Sequence, residues 1–289
     1  MYSNLVIDSR LPAPANMKHA SKMISAAVLA VAIVAPVAAQ QTDPLKEAVA
    51  SEQRHLSNKQ RDEYRHPYET LSFFGIRPDM TVVELTPGAG WYTEILAPYL
   101  RDKGTYIAGV YDPQSDKAAY RRYASLFKDF LATNPVIFNK VKVSVFEPPA
   151  KLDFAPPGTV DMVLTFRNLH NWVTLGEPAM AQIFKSIYTA LKRGGVLGIV
   201  EHRLPEDRQQ DATASTGYMH QSYVVQMAQK AGFQLQASSE INANPRDTAD
   251  HPGGVWALPP SYRNKDTDRA KYQAIGESDR MTLKFVKPR

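Results

Sequence analysis

The chain is best understood from the stretch Thr81-Val82-Val83-Glu84-Leu85-Thr86-Pro87-Gly88-Ala89-Gly90-Trp91. Its two valines and Leu85 are the aliphatic residues that a strand covered on both faces needs. Gly88 and Gly90 allow a sharp turn and the close approach of a ligand. Apolar residues at helical spacing follow, and free N–H groups at the start of a helix favour a polar or anionic ligand group. The stretch predicts a buried strand, a glycine turn and a helix, either at a ligand site or as a plain α/β turn.

Strands and helices alternate along the rest of the chain. This alternation predicts a doubly wound α/β sheet, in which ligands bind beyond the carboxyl ends of the strands. Polar helices are expected over residues 45–64, and an insertion at 242–280 precedes the last strand as either a substrate lid or a surface excursion. Further strands are predicted at 106–112, 141–146, 159–166, 195–200, 233–241 and 281–286, and helices at 91–100, 116–133, 178–191 and 218–231.

Polar side chains follow several of these strands. Asp112 stands about 24 residues after the glycine turn, the separation at which related folds place an acid on a ribose. It could instead form a turn before Pro113. His170 and His202 follow the fourth and fifth strands, where an imidazole could act as a general base near neutral pH or serve only as a loop residue. Glu201 could orient His202 or a substrate amine.

Residues 84–90, Glu84-Leu85-Thr86-Pro87-Gly88-Ala89-Gly90, resemble motif I of class I S-adenosylmethionine (SAM)-dependent methyltransferases. That motif is an acidic residue followed by Gly-x-Gly-x-Gly, and Thr86 stands here in place of the first glycine. The resemblance implies a Rossmann-like seven-stranded sheet with N-terminal helices across the cofactor mouth. It also implies a set of SAM-binding residues: Glu84, Thr86, Gly88, Ala89, Gly90, Asp112, Glu147 (near the adenine) and Asn168.

A second resemblance lies in Phe166-Arg167-Asn168-Leu169 and in Leu191-Lys192-Arg193-Gly194-Gly195-Val196-Leu197. Both segments are similar to ubiquinone/menaquinone-type C-methyltransferases, although Arg193 stands where proline is usual. Residues 71–288 also resemble a group of exported methyltransferases with a Pro-Gly-x-Gly-Trp-Tyr signature. Both likenesses imply methyl transfer from SAM to a small-molecule acceptor.

The N-terminus has the pattern of a secretory signal. Met17 fits a start site, Lys18 and Lys22 form a basic region, and residues 23–34 are apolar but short for a bilayer span. A cut after Ala39 is expected, or else an uncleaved anchor. The predicted organisation is a leader (1–39), a helical segment (40–75) and an α/β domain (76–289). A periplasmic or secreted protein without a stable membrane span is predicted.

Composition excludes several classes of function. The 289 residues carry a net charge of +5 and no cysteine, so no disulfide, thiolate metal site or cysteine nucleophile is expected. Lysine and arginine form no stripe with interleaved aromatic residues, which disfavours nucleic acid. The histidines have no tight metal spacing, and there is no nucleophile elbow or P-loop. The glycine spacing disfavours a nicotinamide oxidoreductase.

Two functions remain from the sequence. One is SAM-dependent methylation of a small molecule. The other is a non-catalytic small-molecule-binding protein on a methyltransferase scaffold in the periplasm, because SAM is made in the cytoplasm and Thr86 departs from the motif. The methyl acceptor and the oligomeric state are not determined by the sequence.

Overall fold

A computed structural model describes residues 43–289 of the chain. The predicted leader, with its cut after Ala39, lies outside the described residues. The strands are β1 (Thr81–Leu85), β2 (Thr105–Val110), β3 (Lys142–Val145), β4 (Val160–Phe166), β5 (Leu191–Leu204), β6 (Met219–His220), β7 (Gln234–Ser239) and β8 (Arg280–Val286). The helices are α1 (Pro44–Ala50), α2 (Leu56–Lys59), α3 (Asp62–Arg65), α4 (Pro67–Phe74), α5 (Thr93–Leu100), α6 (Ala118–Thr133), α7 (Pro135–Phe138), α8 (Leu169–Trp172), α9 (Glu177–Ala190), α10 (Gln221–Lys230) and α11 (Arg269–Ile275).

Strand β1 lies inside the sheet and is covered on both faces. Val82 is buried in one apolar cluster together with Leu71 and Phe74 of α4. The next residue, Val83, is buried in the opposite cluster with Ile183 of α9. Successive residues of a strand point to opposite faces, so a run of aliphatic residues is what a doubly covered strand requires. The predicted doubly wound architecture is confirmed.

The strands run in the order β3-β2-β1-β4-β5-β8-β7, and the short β6 pairs with the end of β5. The pairs from β3 to β5 are parallel, whereas β8 is antiparallel to both β5 and β7. The carboxyl ends of β1, β2, β4 and β5 therefore meet at one edge of the sheet. This edge is where the sequence analysis expects a ligand.

Some boundaries differ from the predictions. The fifth strand extends to Leu204 rather than ending at Val200. Strand β8 continues the ladder as far as His202, which pairs with Arg280, and β6 then pairs with Arg203 and Leu204. Glu201 and His202 consequently lie within a strand rather than after it. Residues 169–172, expected as loop, form the single helical turn α8.

The N-terminal helices share the core of the sheet. Leu45 of α1 and Phe74 of α4 are buried in the same cluster as Ile95 of α5 and Leu164 of β4. The predicted helical segment therefore packs directly on the α/β layer. No helix within residues 43–289 is both long and apolar enough to cross a bilayer.

The insertion between β7 and β8 is tied to the sheet by the carboxylate of Asp247. This carboxylate accepts a hydrogen bond from Tyr218 Oη at 3.0 Å, pairs with His251 Nε2 at 2.8 Å, and accepts the Asp279 N–H at 2.8 Å. Because β7 is parallel to β5, the insertion leaves from the carboxyl edge, as expected.

Candidate functional site

Two cavities, each of about 370 Å³, open at the carboxyl edge of the sheet. The first lies between the N-terminal helices, the ends of β1, β4 and β5, and the insertion. The second lies between the end of β2, helix α6 and the segment after β4. Both are lined by Thr86, Pro87, Gly88 and Asn168, so the cavities adjoin across the glycine turn.

Asn168 connects the ends of β1 and β4. Its Nδ2 donates to the carbonyl oxygen of Leu85 at 3.0 Å, to that of Thr86 at 3.3 Å, and to Thr165 Oγ1 at 3.0 Å. The opposite atom, Oδ1, has no hydrogen-bond partner among residues 43–289. Asn168 therefore holds the backbone at the start of the glycine turn through Nδ2, and its Oδ1 remains a hydrogen-bond acceptor for a ligand.

The glycine turn contains backbone that L-residues disfavour. Gly88 and Gly90 have φ values of +60° and +82°, and Thr86 has +54°. A side chain at Gly90 would overlap the ring of Phe130, whereas one at Gly88 would meet no atom within 4 Å. Thr86 thus adopts a left-handed conformation, which favours glycine, at the position where the motif has its first glycine. Strained backbone of this kind is concentrated at functional sites.

We expect Thr86→Gly to raise the free energy of unfolding by about 1–2 kcal/mol. The left-handed conformation costs an L-residue about 1–2 kcal/mol, and the buried Thr86 Oγ1 has no hydrogen-bond partner in the described chain. Glycine loses more conformational entropy on folding than threonine does, which offsets about 0.5–1 kcal/mol of that gain. Urea denaturation measures the change. The matched variant Thr81→Gly, at the start of the strand that leads into the turn and without a positive φ, should lower stability. A loss in both variants would contradict the strain argument.

Three tyrosines form one wall of the second cavity. The rings of Tyr111 and Tyr120 stack with centroids 4.1 Å apart, and Tyr123 lies 6.1 Å from Tyr111. From the sequence, only a helix is predicted over residues 116–133, without a role for its tyrosines. Tyr111, directly after β2, is the feature of the sequence that could have indicated this wall. The end of a strand and the helix that follows it face the same cavity.

Asp112 and Glu147 lie outside the residues that line either cavity. The Asp112 carboxylate pairs with Lys151 and accepts the Gln114 N–H at 2.7 Å. Glu147 accepts the Asp112 N–H at 3.1 Å and the Ser115 hydroxyl at 2.8 Å. Both acids hold the loop after β2 in this structure. Their roles at the ribose and the adenine remain predictions.

Glu84, the penultimate residue of β1, lines the first cavity and is buried. Its Oε2 accepts the Tyr106 hydroxyl at 2.6 Å. Burial raises the pKa of Glu84 to about 7, against the lowering effect of the hydrogen bonds from Tyr106 and Thr93. Glu84 therefore titrates closer to neutral pH than an exposed glutamate does.

This raised pKa makes stability depend on pH. The folded state binds a proton that the unfolded chain, with a pKa of 4.5, releases. The contribution is fully present below pH 4.5 and is lost as pH rises through about 7, a change of about 3 kcal/mol. We expect Glu84→Gln to remove this loss, measured by urea denaturation at pH 5 and pH 8. The exposed control Glu52→Gln should leave it unchanged, and equal slopes in wild type and Glu84→Gln would contradict the assignment.

His170 is held by a buried carboxylate. Its Nδ1 lies 2.9 Å from Glu201 Oε1, and Glu201 also accepts the N–H groups of Leu169 at 2.7 Å and His202 at 2.9 Å. An N–H on Nδ1 leaves Nε2 of His170 as the basic atom, with no partner among the described residues. His170 lines the first cavity. This is the arrangement of a histidine general base with an orienting carboxylate.

His202 lies beside His170 in the same cavity, with ring centroids 5.3 Å apart. Its Nδ1 is 2.5 Å from Ser278 Oγ. Burial, followed by the charges of His170 and Arg280, lowers the pKa of His202 well below its ordinary value. His202 is therefore neutral at physiological pH. The structure brings both predicted histidines to the site, and Glu201 orients His170 rather than His202.

The ligand atoms of His170, Glu201 and His202 lie within 4.8 Å of one another, a separation that a metal ion could bridge. The oxygens of Glu201 already accept four donors, from Leu169 N, His170 N, His170 Nδ1 and His202 N. A metal ion would have to displace these hydrogen bonds from a buried carboxylate. The contacts favour an orienting carboxylate over a metal ligand.

The insertion forms the outer wall of the first cavity. Val255, Trp256 and Pro260 line it, and the Trp256 ring lies 6.0 Å from that of His170. The guanidinium carbon of Arg263 lies over the Trp256 ring, 4.3 Å from the ring centroid. The insertion therefore borders the candidate base, and its role as a substrate lid stays a prediction.

Comparison with solved structures identifies the fold. A SAM-dependent methyltransferase from Aquifex aeolicus matches with a TM-score of 0.50 at 21% identity, over 70% of this chain and 94% of that one. The chain has the class I methyltransferase fold. Neither protein-family models nor curated proteins give a match to this sequence.

Two further structures with this fold differ in their named activities. Haemonchus contortus phosphoethanolamine N-methyltransferase 2, in complex with SAM, matches with a TM-score of 0.53 at 13% identity, over 85% of this chain and 56% of that one. The cyclase SpnF matches with a TM-score of 0.54 at 13% identity, over 85% and 92%. Since one fold supports both, the activity has to be argued from the site.

Proposed function

We propose that this protein is a SAM-dependent methyltransferase that acts on a small molecule. The observation that carries the proposal is the junction of the two cavities across the glycine turn of a class I methyltransferase fold. One cavity has a wall of tyrosines at the end of β2, and the other contains a histidine held by a carboxylate. A ligand lying across the turn would have its two ends in these two environments.

The residues at the junction fit SAM. Gly88 leaves open space where a side chain would stand. Asn168 Oδ1 and Glu84 can accept hydrogen bonds from an ammonium group, and the stacked Tyr111 and Tyr120 offer an aromatic surface to an adenine ring. When bound, SAM supplies an electrophilic methyl group to the acceptor and leaves as a neutral thioether. The first cavity is then the place for the acceptor.

The protein's own contribution to the reaction is positioning and proton removal. The walls of the first cavity hold the acceptor close to the turn and reduce its freedom of motion. His170 Nε2 takes the proton from an acceptor hydroxyl or acidic carbon as the new bond forms, and Glu201 stabilises the imidazolium that results. The proton then passes to water. Such a base is required for an oxygen or carbon acceptor.

We also propose export to the periplasm or to the medium, with a cut after Ala39. The basic, apolar and small-residue pattern of residues 17–39 supports it. Mass spectrometry of the N-terminus of the exported protein tests the cut, and an intact leader would contradict it. SAM would have to reach the protein in that compartment.

Calorimetric titration of the protein with SAM and with its demethylated product, S-adenosylhomocysteine, tests the function. We expect micromolar dissociation constants for both ligands. Methyl transfer is then measured with candidate acceptors. A folded sample that binds neither ligand would overturn the proposal and favour a binding protein for another small molecule.

A further inference from the structure

Four guanidinium groups line the first cavity. Arg61 and Arg65 come from the region of α3, Arg167 follows β4, and Arg280 begins β8. Arginine is costly to enclose without a partner, because its charge loses hydration when water is excluded.

The carboxylate of Glu277 forms ion pairs with three of these four arginines. Glu277 receives Arg61 Nε at 2.5 Å and Arg65 Nε at 3.3 Å, and it also pairs with Arg280. Burial alone would raise the pKa of Glu277, but the charges of Arg280, Arg65 and Arg61 hold it well below its usual range. Glu277 is fully ionised and still supplies a single negative charge to three cations.

Arg167 has no partner for its guanidinium among residues 43–289: no hydrogen bond or ion pair of this side chain is present there. Its φ of +61° is in the left-handed region, which is uncommon for a residue with a side chain. Burial, followed by the charge of Arg280, lowers the pKa of Arg167 to about 10, so it stays cationic at neutral pH. A cation without a direct ion-pair partner in the described part of the chain therefore lines the cavity beside the strained turn.

The charges of the cavity do not cancel. Its lining contains the four arginines and two carboxylates, Glu84 and Glu277. With both carboxylates ionised the excess is two positive charges, and counting Glu201 behind His170 still leaves one. SAM brings a sulfonium and an ammonium group against one carboxylate, so its binding adds positive charge. A second, negatively charged ligand is needed for balance.

We propose that the methyl acceptor carries a carboxylate or a phosphate group, which Arg167 and its neighbours Arg65 and Arg280 bind beside His170. This inference rests on the proposed methyltransferase function. The planar guanidinium groups match either anion through paired N–H donors. Binding the anion at the arginines fixes the remainder of the acceptor, including its reacting atom, near the basic Nε2 of His170 and the Trp256 wall.

The test uses small probes on the full chain saturated with S-adenosylhomocysteine. Benzoate and its neutral isostere benzamide are titrated by ligand-observed NMR, and phenyl phosphate forms the phosphate arm. We expect benzoate, phenyl phosphate or both to bind, and benzamide to bind at least about tenfold more weakly. The stronger of the two acids identifies the anionic group.

Matched variants assign the binding to the cluster. Arg167→Gln should weaken acid binding by about ten- to a hundredfold, and Arg167→Lys should restore part of it. Arg122→Gln, an exposed change on α6, should have no effect. Thermal melting confirms that each variant is folded. Equal binding of benzoate and benzamide, or acid binding that Arg167→Gln does not weaken, would overturn the proposal.

The same titrations separate two further results. Acids that bind the free chain but are displaced by S-adenosylhomocysteine would show that the arginines hold the cofactor's own carboxylate, and the acceptor proposal would fail while the methyltransferase function stands. If S-adenosylhomocysteine itself does not bind, the proposed function fails, and the acceptor inference fails with it.

Discussion

Gly88→Val should weaken the binding of SAM and S-adenosylhomocysteine by more than about a hundredfold. Gly88 lines both cavities at their junction, and the space beyond its Cα contains no protein atom within 4 Å. A valine side chain would fill the space that a ligand lying across the turn has to occupy. Overlap of this kind cannot be relieved by a small shift, because Asn168 holds the turn from below. Calorimetric titration measures the loss.

The variant also introduces backbone strain, which needs a matched control. Gly88 has a φ of +60°, so a β-branched residue there costs about 1–2 kcal/mol in stability. Gly158 has a φ of +66° and equally open space, yet lies far from both cavities in sequence and lines neither. Gly158→Val should lose similar stability and keep full affinity. Full affinity in Gly88→Val would show that the ligand does not cross the turn.

Glu201→Gln should lower the rate of methyl transfer by about 10²–10⁴-fold, the range for loss of a general base. The carboxylate accepts the His170 Nδ1–H and thereby keeps Nε2 free to take a proton. An amide nitrogen in that position would donate to Nδ1 and place the proton on Nε2. His170 would remain in the cavity in the wrong tautomer. The rate is measured with the best acceptor found by screening.

Glu201 also supports the backbone, so the test must separate orientation from folding. The amide would face the His202 N–H, and we expect a loss of about 1–3 kcal/mol in stability. Affinity for S-adenosylhomocysteine should stay within about twofold, so the effect appears in kcat. The exposed change Glu69→Gln on α4 is the control for the substitution itself. Unchanged kcat in Glu201→Gln would reduce Glu201 to a structural residue.

Features set by neighbouring residues could be predicted from the sequence. The strand at residues 81–85, the glycine turn and the helices α6, α9 and α10 lie close to their expected places. Local patterns suffice because periodicity determines which faces are apolar, and glycine permits the turn. The order of elements then led to the doubly wound sheet and to the edge where Glu84, Gly88, Asn168, His170 and His202 meet.

The partners of these residues could not be predicted in the same way. Glu201 is expected to orient His202, its neighbour in sequence, or a substrate amine, but it holds His170, 31 positions away in the helical turn that follows β4. Asp112 has the right separation from the turn, yet its side chain pairs with Lys151. The direction of a side chain at the end of a strand depends on what the neighbouring strands and loops place beside it.

The arginine cluster is the clearest case of the difference. Arg61 and Glu277 are 216 residues apart, and neither belongs to a recognisable motif. The sequence alone established the strand, the turn and the edge of the sheet, since these follow from the local spacing of apolar residues and glycine. The charge of the cavity was decided by the tertiary structure. Because β8 is antiparallel to β5, it begins at the carboxyl edge of the sheet and places Glu277 and Arg280 beside α3 and the end of β4.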